Sequence, residues 1–250
     1  MRESIRRVGT LTARNFKEIV RDPISLCFLI GLPLLMEILF YFLFHKMTAQ
    51  FEMKYLAPGI VVFSQAFLTL FAGLLISVDR VSAFLVRLYV SKARSSEFIF
   101  GYALALLPVM AAQALLFFLV GGLFDPSLFS LRLIPAVLLS FVTSLFFIAL
   151  GILVGSLCGE RAVGGVSSIA ISGQSLLSGM WFPINDMGGG ILLLMNCLPF
   201  RNATLLVQNA LNGAQDLWAD LLRPLLIVLA YTVAVFVAAI LVFRSRMKAK

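Results

Sequence analysis

Six stretches of this chain are each long and apolar enough to cross a bilayer as a helix, and most are separated only by short polar segments. A helix needs about 20 mostly apolar residues to cross the hydrocarbon. The stretches are 24–44, 59–78, 98–123, 133–157, 162–181 and 224–243. Of the 250 residues, 61% are hydrophobic and 13% charged, whereas a soluble domain has about 45–50% and about 25%. The mean hydropathy is +1.01. The expected fold is an all-α polytopic membrane protein of six transmembrane helices, with residues 1–250 forming a single transmembrane domain. A soluble enzyme, a free nucleic-acid-binding domain and a disordered regulator are excluded, and no nucleic acid is expected as a partner.

The formal charge of +8 is read as orientation in the bilayer. One side carries Arg2, Arg6, Arg7, Arg14, Lys17 and Arg21, then Arg80, Arg87, Lys92 and Arg94, then Arg161, then Arg244, Arg246, Lys248 and Lys250. The other side has Lys46, Lys54, Arg132, Arg201 and Arg223. Lys and Arg accumulate on the cytoplasmic side, so both termini are expected there. The expected location is a plasma membrane crossed several times, of the bacterial cytoplasmic type. The first apolar run has no small-residue cleavage site after it and is read as a retained span.

Three segments outside the spans have patterns of their own. Residues 1–22 read as an amphipathic interfacial helix. Ile5, Val8, Phe16 and Ile19 share one face, while Arg7, Arg14, Lys17, Glu18 and Arg21 lie on the other, towards anionic headgroups. In the cytoplasmic loop 79–97, Val81, Phe84, Leu85 and Leu88 follow i, i+3, i+4, i+7 spacing. Such a short helix either rests on lipid or docks in a partner's groove. Segment 182–223 is rich in turn formers, from Pro183 through Gly188-Gly189-Gly190 to Pro199. Its apolar runs 191–198 and 203–211 are too short to cross, so it is expected to dip into the membrane and return.

Few residues carry chemistry. Glu37 lies inside the first span, where an ionisable group is costly and must face a cavity, another helix or a subunit interface. Its functional reading is a substrate- or proton-contacting carboxylate, and Pro33 marks a kink site one turn earlier. The fifth span has a small and polar stripe, Gly164, Ser168, Ser172, Ser175 and Gly179, with Gln174 beside it. Small residues allow close helix approach. Ordinary packing explains the stripe, and so does a dimer interface or translocation path. No phosphate-binding GxxxxGK[ST] loop occurs, nor HExxH or GxSxG. No catalytic residue and no cofactor is expected in this chain. Cys27, Cys158 and Cys197 lack metal-ligand spacing, and His45 alone makes no metal site. Asn202-Ala203-Thr204 matches a glycosylation sequon.

Two stretches resemble one family. The first is Asp79-Arg80-Val81-Ser82-Ala83-Phe84-Leu85, then Leu88-Tyr89-Val90-Ser91, ending at Glu97 and Gly101. The second is Ser178-Gly179-Met180-Trp181-Phe182-Pro183, followed by Leu198-Pro199-Phe200. Together with the order of spans, they resemble the membrane subunit of type-2 ABC exporters, the ABC-2 permeases. Ser82-Ala83 stands where the family has a glycine region, Lys92 where it has a proline, and Gly188 where a second proline often sits. The resemblance implies two permeases, this chain with a second copy or a homologous permease, driven by two ABC ATPase subunits that hold ATP and magnesium. It implies that Asp79, Arg80, Phe84, Leu85, Arg87, Leu88 and Glu97 belong to an ATPase-coupling element. It implies an outer gate that includes Gly179, Phe182, Pro183, Pro199 and Phe200. Glu37, Ser168, Ser172, Gln174 and Ser175 become candidates for the pathway or dimer interface. The expected function is export of an amphipathic, drug-like, lipid-like or peptide substrate. The rival reading is an ATP-independent channel or secondary carrier with Glu37 as its ion or proton site. Such carriers often break helices in both halves, and the sequence suggests no broken helix in the first half.

Overall fold

A computed structural model describes residues 2–81, 95–182 and 188–248, and every regular element among them is helical. Helix α1 (Arg2–Val20) ends where Asp22-Pro23 breaks the pattern. The first span follows as α2 (Pro23–Leu26), a π-turn at Cys27–Gly31, and α3 (Leu32–Phe44). Next come α4 (Met53–Val81), α5 (Ser95–Phe124), α6 (Leu133–Leu157) and α7 (Glu160–Leu177). Two short helices, α8 (Gly189–Cys197) and α9 (Pro199–Asn212), precede a π-turn at Leu217–Leu222 and the last helix, α10 (Arg223–Lys248).

By length and composition, five of these helices can cross a membrane: Cys27–Phe44, Met53–Arg80, Ser96–Phe124, Leu133–Leu157 and Leu217–Ser245. The pair α8–α9, bent by 77°, would make a sixth if it is one broken span. Helix α7, in the predicted fifth span, is outside this set. It has 18 residues, but its serines, glycines and Gln174 dilute its apolarity. Its path is nevertheless that of a spanning helix. Val163 packs where α4 has Gly73, and Met180, just beyond α7, packs at Gly59. Those contacts lie about 21 Å apart along α4 at 1.5 Å per residue, so α7 runs antiparallel to α4 through most of an apolar core about 30 Å thick.

Helix α4 is the axis of the bundle. It packs on α3, α5, α6, α7 and α9, and 83% of its apolar window is buried, against 17% for the first and last spans. The α4–α6 contact is the tightest. A Cβ on Gly155 would lie 2.5 Å from the Gly73 carbonyl oxygen, and one on Gly151 would lie 2.5 Å from the Thr69 carbonyl oxygen. Glycine is needed wherever two backbones approach this closely. Polar side chains close the same seam. Gln65 donates to the Ser140 carbonyl (2.9 Å) and accepts from the Thr143 hydroxyl (2.7 Å), while Thr69 donates to the Phe147 carbonyl (3.0 Å). Where water is excluded, buried polar groups need such internal partners.

Both described chain ends lie at one end of the bundle. Leu11 of α1 packs at Gly101, and Phe243 of α10 meets Phe98, both near the start of α5. This is the α1 end of the bundle.

Candidate functional site

The acidic residues at the two ends of segment 79–97 face inwards at the α1 end. Asp79 is 1% exposed. Arg14 grips it with two hydrogen bonds, Nη1 to Oδ2 at 2.6 Å and Nη2 to Oδ1 at 2.7 Å. The Tyr102 hydroxyl donates to Oδ2 at 2.7 Å. The bond to Asp79 holds the Arg14 guanidinium above its ordinary pKa. Glu97, at the start of α5, accepts from the Ser4 hydroxyl at 2.6 Å and pairs with Arg7 Nε at 3.3 Å. Thus α1 holds both Asp79 and Glu97. The helical wheel puts Arg7 and Arg14 on the outer, lipid-headgroup face. In the structure both turn to the protein, because two carboxylates buried beside α1 need cations. Ile5, expected on the apolar face, is 67% exposed, while Ile19 is buried.

Arg80 has a different task. Its Nη1 donates to the carbonyls of Gly155, Ser156 and Cys158 at 2.9, 2.7 and 3.1 Å. These are the last carbonyls of α6, which carry the negative end of the helix dipole. Arg80→Ala is expected to cost about 2 kcal/mol, the range for hydrogen bonds to a charged group, seen as a lower midpoint of thermal unfolding in detergent. Phe84, Leu85, Arg87 and Leu88 lie outside the described residues.

The predicted interface residues divide into two groups. Ser168 and Ser172 are exposed on α7, where they line an open groove of about 430 Å³ with Ile169, Gly173, Leu176 and Leu177. Gln174 is fully buried and donates to the Thr204 hydroxyl at 2.9 Å, tying α7 to α9. Ser175 accepts from the Trp181 indole at 3.0 Å. Glu37 is 0% exposed, and neither carboxyl oxygen has a hydrogen-bond partner. Its pocket exists because α5 has glycine there: a Cβ on Gly121 would lie 3.2 Å from Glu37 Oε1.

The predicted gate residues sit at the opposite end. Gly179 has φ of +73°, a conformation that favours glycine, and it turns the chain out of α7. Trp181 then meets the rings of Phe40, Phe51 and Phe63 at centroid distances of 4.7, 6.3 and 5.9 Å. Gln50 donates to the Phe182 carbonyl at 2.7 Å. This aromatic cluster joins α3, the turn before α4, α4 itself and the end of α7. Sequence reading missed Phe40, Phe51 and Phe63, which carry no motif and meet only in three dimensions. Pro199 is buried, and Phe200 packs on Gly173 and beside Phe146 and Phe147, so both belong to the packing of α9. Pro183 lies outside the described residues. Asn202 is 4% exposed, and its amide donates to the Asn196 and Leu198 carbonyls at 2.9 and 2.7 Å. It clamps the bend between α8 and α9, and a glycan has no access to it.

The buried clamp at Asp79 and the glycine turn at Gly179 coincide with the two stretches that suggested a family. The family model for the ABC-2 type transporter matches residues 6–211. No curated protein matches the sequence. The matched region takes in both stretches and every helix from α3 to α8, and the chain therefore belongs to the ABC-2 type transporter family, as a multi-pass membrane permease subunit.

Proposed function

We propose that this chain forms the membrane half of an ATP-driven exporter, paired with a second permease copy or a homologous permease and with two ABC ATPase subunits. ATP and magnesium reside on those ATPases. Both termini lie in the cytoplasm, so the α1 end faces the ATPases. Segment 79–97 is the coupling element. The observation that carries this reading is the double attachment of that segment to α1, through Asp79–Arg14 and Glu97–Arg7. A push on the segment is transmitted to α1, α4 and α5 together, because buried ion pairs at both ends resist independent movement.

At the far end, α8 and α9 form the roof of the pathway. Ile191, Leu193 and Leu194 of α8 are exposed, which suits a re-entrant helix bathed in lipid better than a surface loop in water. The exposed Ser168–Ser172 face of α7 meets the second permease. The substrate is an amphipathic, drug-like, lipid-like or peptide molecule, as the apolar surroundings favour.

Mild-detergent purification of the tagged protein from its native membrane is expected to bring down a stoichiometric soluble subunit containing a phosphate-binding loop. Arg87→Glu is expected to weaken that association at least tenfold without changing thermal stability. Arg80 is a poor choice for this test, since its reversal also uncaps α6. A single-component preparation that transports on an ion gradient without ATP would overturn the reading in favour of a carrier.

A further inference from the structure

The first span breaks just before Pro33, the kink site that its sequence marks. In a continuous α-helix, the carbonyl of Leu29 accepts from the N–H of residue 33. Residue 33 is proline and has no N–H. The backbone widens here into the π-turn Cys27–Gly31, with the Leu32 N–H reaching back to the Cys27 carbonyl. Leu29, whose carbonyl Pro33 leaves without its α-helical donor, is fully buried. Its donor comes from another helix: Gln113 Nε2 of α5 lies 2.7 Å away. Gln113 is itself 1% exposed.

The surroundings of this bond are unusual. Leu29, Pro33 and Glu37 form a single buried stripe along α2–α3, and the rest of the span is half-buried or exposed. Three acceptor atoms on this stripe and its α5 partner lack a donor: Gln113 Oε1 and both Glu37 oxygens. Unmet buried polar atoms are costly. On the α4–α6 seam, by contrast, Gln65 is satisfied at both ends. The far half of α3 rests on rings instead, through Phe40 on Trp181 and Tyr41 on Phe124. Ring contacts lack the strict directionality of hydrogen bonds. Among the described residues, the Gln113 bond is thus a directional tie from a neighbouring helix to the first span at its weakest backbone point.

We propose that Cys27–Pro33 is a hinge in the first span and that Gln113 is the positioning residue that latches it. With the latch closed, α3 lies against α4 and α5, and Glu37 is enclosed at Gly121. With the latch released, the widened turn takes up the bend and the far half of α3 swings from the bundle. π-Turns and prolines are the recognised causes of sharp helix bends. The hinge is a property of the chain alone and stands whether or not an ATPase drives it.

Amide hydrogen exchange of the full chain in lipid nanodiscs tests this. Gln113→Leu removes the latch and is expected to speed exchange of residues 29–36 at least tenfold, with α6 unchanged. Pro33→Ala restores the missing N–H and is expected to slow exchange below native in the same residues. The double variant Gln113→Leu/Pro33→Ala is expected to return to within about threefold of native. A merely structural Gln113 would not be rescued by a change on another helix. Unchanged exchange in Gln113→Leu, equal acceleration in α6, or a double variant as fast as the single would each overturn the proposal. Should Gln113→Leu fail to fold, Pro33→Ala decides alone, and native exchange rates in that variant would overturn the hinge.

Discussion

Gly155→Leu is expected to destabilise the folded permease by about 3 kcal/mol or more and to lower its yield severalfold. A side chain at this position meets backbone, with the Gly73 carbonyl oxygen 2.5 Å from the Cβ position and the Gly73 Cα at 2.9 Å. Backbone cannot rotate away as a flexible side chain can, so α4 and α6 must separate. Their separation strains the Gln65–Ser140 and Thr69–Phe147 hydrogen bonds along the same seam, and these have no water to replace them. Overpacking a well-filled core costs about 1–3 kcal/mol and sometimes more. Here the upper end applies, against a total stability of about 5–15 kcal/mol for a typical protein. The measurement is the yield of monodisperse protein in mild detergent, with Gly155→Ala as an intermediate case. Gly159→Leu is the control: a Cβ there meets nothing within 4 Å, and near-native yield is expected.

Arg14→Ala is expected to give the second-largest effect, by a different physical route. It takes two hydrogen bonds and a positive charge from the buried Asp79 carboxylate, which keeps the bond from the Tyr102 hydroxyl. Breaking a buried ion pair from one side costs about 3–5 kcal/mol. Since the Arg14 side chain is 35% exposed, water reaches its side of the pair, and about 2–3 kcal/mol is the appropriate figure. Arg14→Lys is expected to recover only part of the loss, because an ammonium cannot match the paired geometry of the carboxylate. Thermal unfolding gives the magnitude. Limited trypsin digestion gives the location, since α1 is expected to be cut within residues 2–21 long before the rest of the bundle. Arg14→Ala/Asp79→Ala is expected to cost less than the sum of the two single changes, as residues in direct contact couple.

The two predictions show unequal legibility. The glycines of the fourth span, Gly151 and Gly155, stand out in the sequence as a four-residue repeat on one face, and repeats of that kind announce close helix packing. The partner they touch does not stand out. Gly73 forms no small-residue repeat with Gly59, the other glycine of the second span, and nothing in its neighbourhood marks it as the backbone that Gly155 meets. The same holds at the α1 end. Asp79, Arg80 and Glu97 draw attention through motif and charge. Their pairing with Arg14, with the end of α6 and with Ser4 spans separations of 65 to 93 residues. No local pattern encodes contacts at such distances.

Hydrophobic length and charge position acted locally, and they were enough for the helical class, for the place of most spans and for a helix over Arg2–Val20. The membrane makes this possible, because backbone polar groups must be satisfied inside each apolar segment and helix is then the only choice for a single segment. Where local apolarity faded, as in α7, packing against α4 fixed the direction in which the helix runs. Tertiary structure alone decided which way Arg7 and Arg14 turned, that Arg80 serves α6, that Asn202 holds a bend, and that a glutamine on α5 supplies the hydrogen bond Pro33 withholds. Each of these is the satisfaction of one buried polar group by another, and which partner is available depends on how the helices are arranged around α4.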